Sequence, residues 1–186
     1  MAEEFDSQYL KSVTALGDTH RIVTNQDIYS GTGIKLATSG TRIDSSFYDK
    51  LVRHKLMPQI DECMTVEDGV TAAELLSRSK KLFEHETWLS RIPELVEIER
   101  LWSIPPRINL VNALPFKLTV ARESRPALLD HCLRIMLLSL YLGMRQDLQD
   151  RELTSLATAA VFHDLGDLHI DPEILAKSHA LTLNER

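Results

Sequence analysis

Two short stretches of the 186-residue chain hold the side chains best suited to chemistry, Asp130-His131-Cys132-Leu133-Arg134 and Phe162-His163-Asp164-Leu165-Gly166-Asp167. Neutral imidazole and carboxylate together bind divalent Fe, Mn or Zn, and one aspartate can offer an oxygen to each of two ions. Arg134 falls one helical turn after His131 on roughly the same face, where a guanidinium could grip a phosphate bidentately. Each residue also has a plainer reading. His131 could be a hydrogen-bonded core histidine, Arg134 could pair with Asp130, and Cys132 suits small core filler. Spacing alone leaves both readings open.

These residues need helices to carry them. Pro126 suits the first turn of a helix running to about Leu142, with Gly143 as its stop. Asp147 or Asp150 can cap the next helix, which turns Leu153, Leu156, Ala157, Ala160 and Val161 inward and ends near Gly166. His131 and the His163-Asp164 pair then lie on two helices that could cross. The second pair sits at a helix C-terminus, where carbonyls and the macrodipole favour a cation.

Upstream, Thr71 and Glu74 form a capping-box signal for a helix that carries Leu75, Leu76, Ser79, Leu82, Phe83, Glu86 and Leu89 and stops at Pro93. Its Lys80-Lys81 pair reads as the solvated side. A second piece, Glu94 to Ile104, ends at Pro105-Pro106. Nearer the start, β-prone pieces at Ile22-Val23, Asp27-Ile28-Tyr29 and Ile34-Lys35-Leu36 are separated by Ser30-Gly31-Thr32-Gly33 and Thr38-Ser39-Gly40, which read as turns. Gly31-Thr32-Gly33 lacks the spacing and context of a phosphate loop. A short helix follows around Ser45 to Leu56, and Pro58 to Asp68 reads as a connector. The first twenty residues read as an irregular lead-in.

The run from Arg125 to Thr182 resembles the HD superfamily of metal-dependent phosphohydrolases, and within it the HD-GYP branch. The likeness lies in the HxxR element at His131 and Arg134, the HDxG element at His163, Asp164 and Gly166, then Asp171-Pro172-Glu173-Ile174-Leu175, Lys177 and Leu181-Thr182 in order. It implies an all-α bundle around a two- or three-metal centre, with Fe or Mn as the divalent metal, and hydrolysis of cyclic di-GMP in bacterial signalling. By position, His131, His163 and Asp164 would be metal ligands, Asp164 the bridging catalytic carboxylate and Arg134 the substrate-binding arginine. The ions would stabilise the attacking and leaving oxygens.

Three positions depart from that pattern. Asp167 stands where the family has lysine, exchanging a cation on the phosphate side for an anion that could become a further ligand. Ala127 replaces the glutamate that supplies a third metal in some members. The remaining ligand histidines and the GYP segment are expected beyond Arg186. His169 and His179 do not occupy those positions, and His179 is expected as an exposed loop histidine. The expectation is an incomplete bundle that alone hydrolyses little or nothing.

Composition fits this picture. The chain is 44% hydrophobic and 26% charged, with a net charge of −6. That leaves no electrostatic footprint for duplex nucleic acid or an anionic membrane surface. The longest apolar stretch, Ile135 to Met144, is interrupted by Ser139 and Gly143 and falls short of the roughly 20 residues of a span. The acidic MAEEFDSQ start is unlike a signal peptide, and two cysteines suggest no disulfide framework, so the expected location is cytoplasmic. Residues 126–186 hold 5 basic and 9 acidic side chains, a bias that suits cations. The expected class is α+β. Residues 1–68 would form a small β-containing module, 69–106 a helical connector and 107–186 the opening of an all-α HD-type bundle. A cyclic dinucleotide is the expected substrate. The competing expectation is an inactive HD-like signalling module that binds a protein partner through the N-terminal module or residues 71–104.

Overall fold

The computed structural model describes residues 6–87, 97–111 and 113–182. They form two compact units, Met1–Asp68 with Leu165–Arg186, and Gly69–Asp164. The class is α+β. Residues 69–106 cluster with the helices that follow them, whereas the sequence sets them apart as a connector. The chain re-enters the first unit at Leu165, whereas the sequence keeps 107–186 together.

The first unit opens on helix α1 (Ser7–Thr19), where the sequence suggested an irregular lead-in. Tyr9, Leu10, Val13 and Leu16 recur at helical spacing and are buried, so tertiary packing supports a segment of modest intrinsic propensity. Gly17 faces the backbone of Ile43 so closely that a Cβ would lie 1.9 Å from its carbonyl oxygen. Strand β1 (Ile22–Thr24) pairs antiparallel with β5 (Met64–Val66), and β2 (Ile28–Ser30) lies between β3 (Lys35–Ala37) and β4 (Leu56–Met57), also antiparallel. The glycine clusters make the turns, with Gly33 and Gly40 at φ 85° and 80°. Asp27 ties the hairpin together by accepting hydrogen bonds from the Ser39 amide and Lys35. Those contacts hold its carboxyl below the usual carboxylate range, Lys35 contributing most. The segment Pro58 to Asp68 is therefore a strand-bearing part of the sheet layer rather than a connector. The predicted helix at Ser45–Leu56 resolves into a 3-10 turn (Ser45–Phe47) and α2 (Tyr48–Val52). The returning chain adds the 3-10 turn Leu165–His169, with Leu168 fully buried, and α8 (Pro172–Leu175).

The second unit is helical: α3 (Ala72–His85), α4 (Ile98–Ser103), α5 (Leu114–Ser124), α6 (Pro126–Arg145) and α7 (Asp150–Phe162). Thr71 caps α3 through its hydroxyl on the Glu74 amide, while the Glu74 carboxylate goes instead to Arg122. Leu89, Pro93 and the first residues of the Glu94–Ile104 helix lie outside the described residues. Pro126 does open α6, whose Leu129, Cys132, Leu133, Met136, Leu137, Leu140, Gly143 and Met144 form one buried stripe.

Gly143 is not the stop of that helix. It sits inside α6 where Leu153 of α7 comes within 2.8 Å of a notional Cβ, so its lack of a side chain allows close helix packing. The stop is Asp147, at φ 56°. The Leu148 amide donates to Gly143 O and the Asp147 amide to Met144 O, a Schellman arrangement. Gln149, paired reciprocally with Glu152, caps α7 in place of Asp147 or Asp150. Asp150 accepts from Arg100 and Arg107, both at 2.9 Å. By length and composition α6 is apolar enough to cross a membrane, unlike the shorter stretch read from sequence. Within the fold, 44% of its most apolar window is buried.

Candidate metal centre

The stripe that buries α6 leaves His131 on the opposite side, 49% exposed, so it is not a core histidine. Cys132, one residue on, is fully buried. The last turn of α7 brings up the other pair: the helix ends at Phe162, with His163 as its cap residue and Asp164 next. Gly166 plays no part in that termination.

The three side chains converge. Asp164 Oδ2 lies 3.0 Å from His163 Nε2 and 3.3 Å from His131 Nε2. The imidazole rings are tilted by 38° with centroids 5.6 Å apart, and one donor atom from each residue lies within 4.8 Å of the others. Among the described residues this is the only cluster of three or more His, Cys, Asp or Glu side chains so arranged.

Hydrogen bonding shows what the cluster suits. His163 Nδ1 is 2.8 Å from the Ala160 carbonyl oxygen. A carbonyl only accepts, so Nδ1 carries a proton and the neutral ring keeps its lone pair on Nε2. That lone pair faces a carboxylate oxygen, and two acceptors at 3.0 Å repel unless a proton or a cation lies between them. A backbone carbonyl holding the far nitrogen is also the usual outer support of a ligating histidine. Adjacent ligands around an ion at about 2.1 Å stand roughly 3.0–3.4 Å apart, which matches the two observed separations. The donors fit one divalent ion. A second ion would need ligands that no other such cluster among the described residues provides.

Arg134 turns elsewhere. Its Nε donates to Glu86 Oε1, just past the end of α3, rather than to Asp130. Asp130 instead accepts from Arg78 at 2.6 Å. Asp167 lies in the 3-10 turn of the first unit and is not one of the three clustered residues. His169 Nδ1 pairs with Asp6 at 2.6 Å and its ring stacks on Tyr9, while His179 is exposed in a bend. Sequence reasoning assigned Glu86 only a place in the α3 stripe. Its bond to Arg134 joins residues 48 apart, for which local periodicity carries no signal.

The fold and site thus define an α+β protein with a solvent-open His-His-Asp cluster at the meeting of two helices. No protein-family model, curated protein or solved structure matches the chain.

Proposed function

We propose that the chain carries metal-binding residues of an HD-type phosphohydrolase of the HD-GYP class, acting on cyclic di-GMP in bacterial cytoplasmic signalling. The observation that supports this reading is the convergence of His131, His163 and Asp164 from two helices, with His163 Nδ1 committed to a carbonyl. Fe or Mn bound there would supply Lewis-acid activation of water and of a phosphoryl oxygen. In this reading the chain's own residues orient the donors. Ala160 O fixes the His163 ring, and the last turn of α7 fixes Asp164 against His131.

The test is metal analysis after Fe or Mn loading, with cyclic di-GMP and other phosphoesters offered as substrates. About one equivalent bound, and lost in His163→Ala, is the expected result. No bound metal would sink the reading, and turnover of a different phosphoester would change the substrate assignment. With one ion rather than two, turnover of cyclic di-GMP by this chain is expected to be slight.

A second reading is an inactive HD-like module that binds a protein partner through the N-terminal module or residues 71–104. The Arg134–Glu86 pair favours it, because the motif arginine is already occupied by a carboxylate. Asp167 at the family's lysine position favours it too. Failure to bind metal, together with intact folding, is its signature.

A further inference from the structure

The polar side of α3 and the start of α6 enclose a groove of about 670 Å³, separate from the His-His-Asp cluster in its lining residues. Its walls carry Arg78, Lys81, His85 and Arg134, set against Glu74, Glu86 and Asp130. Three of these are committed within the helical unit: Glu74 to Arg122, and Arg78 and Asp130 to each other. Arg134 is held by Glu86, while the Lys81 and His85 side chains line the same groove. A carboxylate is thus bonded to a guanidinium in a groove that also presents an ammonium, two cations suited to a phosphate group, while His85 Nδ1 is committed to the Lys81 carbonyl at 2.6 Å.

We infer that this groove is a binding site for a phosphorylated ligand, with Arg134 and Lys81 as its donors and Glu86 as the internal anion that the ligand's phosphate displaces. The class of ligand rests on the phosphohydrolase reading; the competition between Glu86 and an incoming anion rests on the groove itself. Phosphate carries more charge and more acceptor oxygens than carboxylate, so it can bond both cations at once and compete with Glu86 for Arg134. Freed from Arg134, Glu86 sits directly after the C-terminal turn of α3, where it can move without unwinding the helix.

Inorganic pyrophosphate titrated calorimetrically into the full chain, with a chelator present to remove metal, tests this independently of the metal centre. Binding that tightens about tenfold in Glu86→Gln and is lost in Arg134→Ala and in Lys81→Ala is the expected result. Glu74→Gln removes the same charge from the same groove but is bonded to Arg122, so it should leave the affinity nearly unchanged. Equal tightening in Glu74→Gln would reduce the effect to net charge and overturn the inference. So would absence of pyrophosphate binding in both the parent chain and Glu86→Gln while each keeps its circular dichroism spectrum. Neither outcome touches the metal reading, which metal analysis decides separately.

Discussion

His163 and Asp164, neighbours in sequence, face each other at 3.0 Å through Nε2 and Oδ2. Because Nδ1 of that histidine is bonded to a carbonyl, the short separation requires a positive charge between two lone pairs. An imidazolium proton or a divalent cation would satisfy it, and a metal titration tells the two apart: Mn binding should be measurable by calorimetry in the parent chain. Asp164→Asn should weaken it at least tenfold at neutral pH while barely shifting the melting temperature of the metal-free chain, as expected for a solvent-open pair.

Asp150 anchors α7 to the segment holding Arg100 and Arg107. Those two guanidiniums hold its carboxyl below the ordinary value of 3.8, Arg100 contributing most. A lowered folded-state value means a contribution to stability that is present above about pH 4 and is lost as the pH falls through the depressed value. Asp150→Asn should lower the melting temperature at pH 7. The gap to the parent chain should shrink on acidification below pH 4, and a gap that stayed constant would refute the assignment.

Two helical glycines should answer alanine differently. At Gly17 the new Cβ would meet the carbonyl of Ile43 at 1.9 Å, and backbone cannot step aside. Gly17→Ala should cost about 3 kcal/mol. At Gly143 the nearest atom is the end of the Leu153 side chain at 2.8 Å, which can rotate. Alanine also gains about 1 kcal/mol of helix propensity there. Gly143→Ala should unfold within about 1 kcal/mol of the parent chain in denaturant titration.

Asp147 ends α6 in the left-handed region, where a Cβ is unfavourable. Asp147→Gly should raise stability by up to about 1 kcal/mol, read as a higher denaturant midpoint with unchanged slope. A loss of stability would show that the Asp147 side chain contributes more than its backbone strain costs.

Local signals in the sequence carried a good deal of this structure. Glycine clusters marked the hairpin turns, Thr71 and Pro126 marked where α3 and α6 begin, and the histidines were placed on the correct helices. Signals that depend on partners far along the chain were not legible. β5 follows β1 by about forty residues, and a three-residue strand shows its identity only when paired. Helix α1 is too mixed in propensity to announce itself before Tyr9 and Leu10 find a core. Gly143 reads as a stop because glycine is poor inside a helix, yet it lies within α6, packed against Leu153 of the next helix. The bond from Arg134 to Glu86 was illegible for the same reason: the spacing from His131 is local, whereas Glu86 lies 48 residues away.

The first unit is assembled from two pieces of chain, and the second lies wholly between them. During synthesis all of 69–164 emerges before the buried Leu168 does. The contiguous helical unit can therefore complete its core on the ribosome while the unit that was begun first still waits for its last strip of apolar surface. Order of folding would then run opposite to order of translation, and a ribosome stalled just after Asp164 has emerged would display one folded unit and one unfinished one.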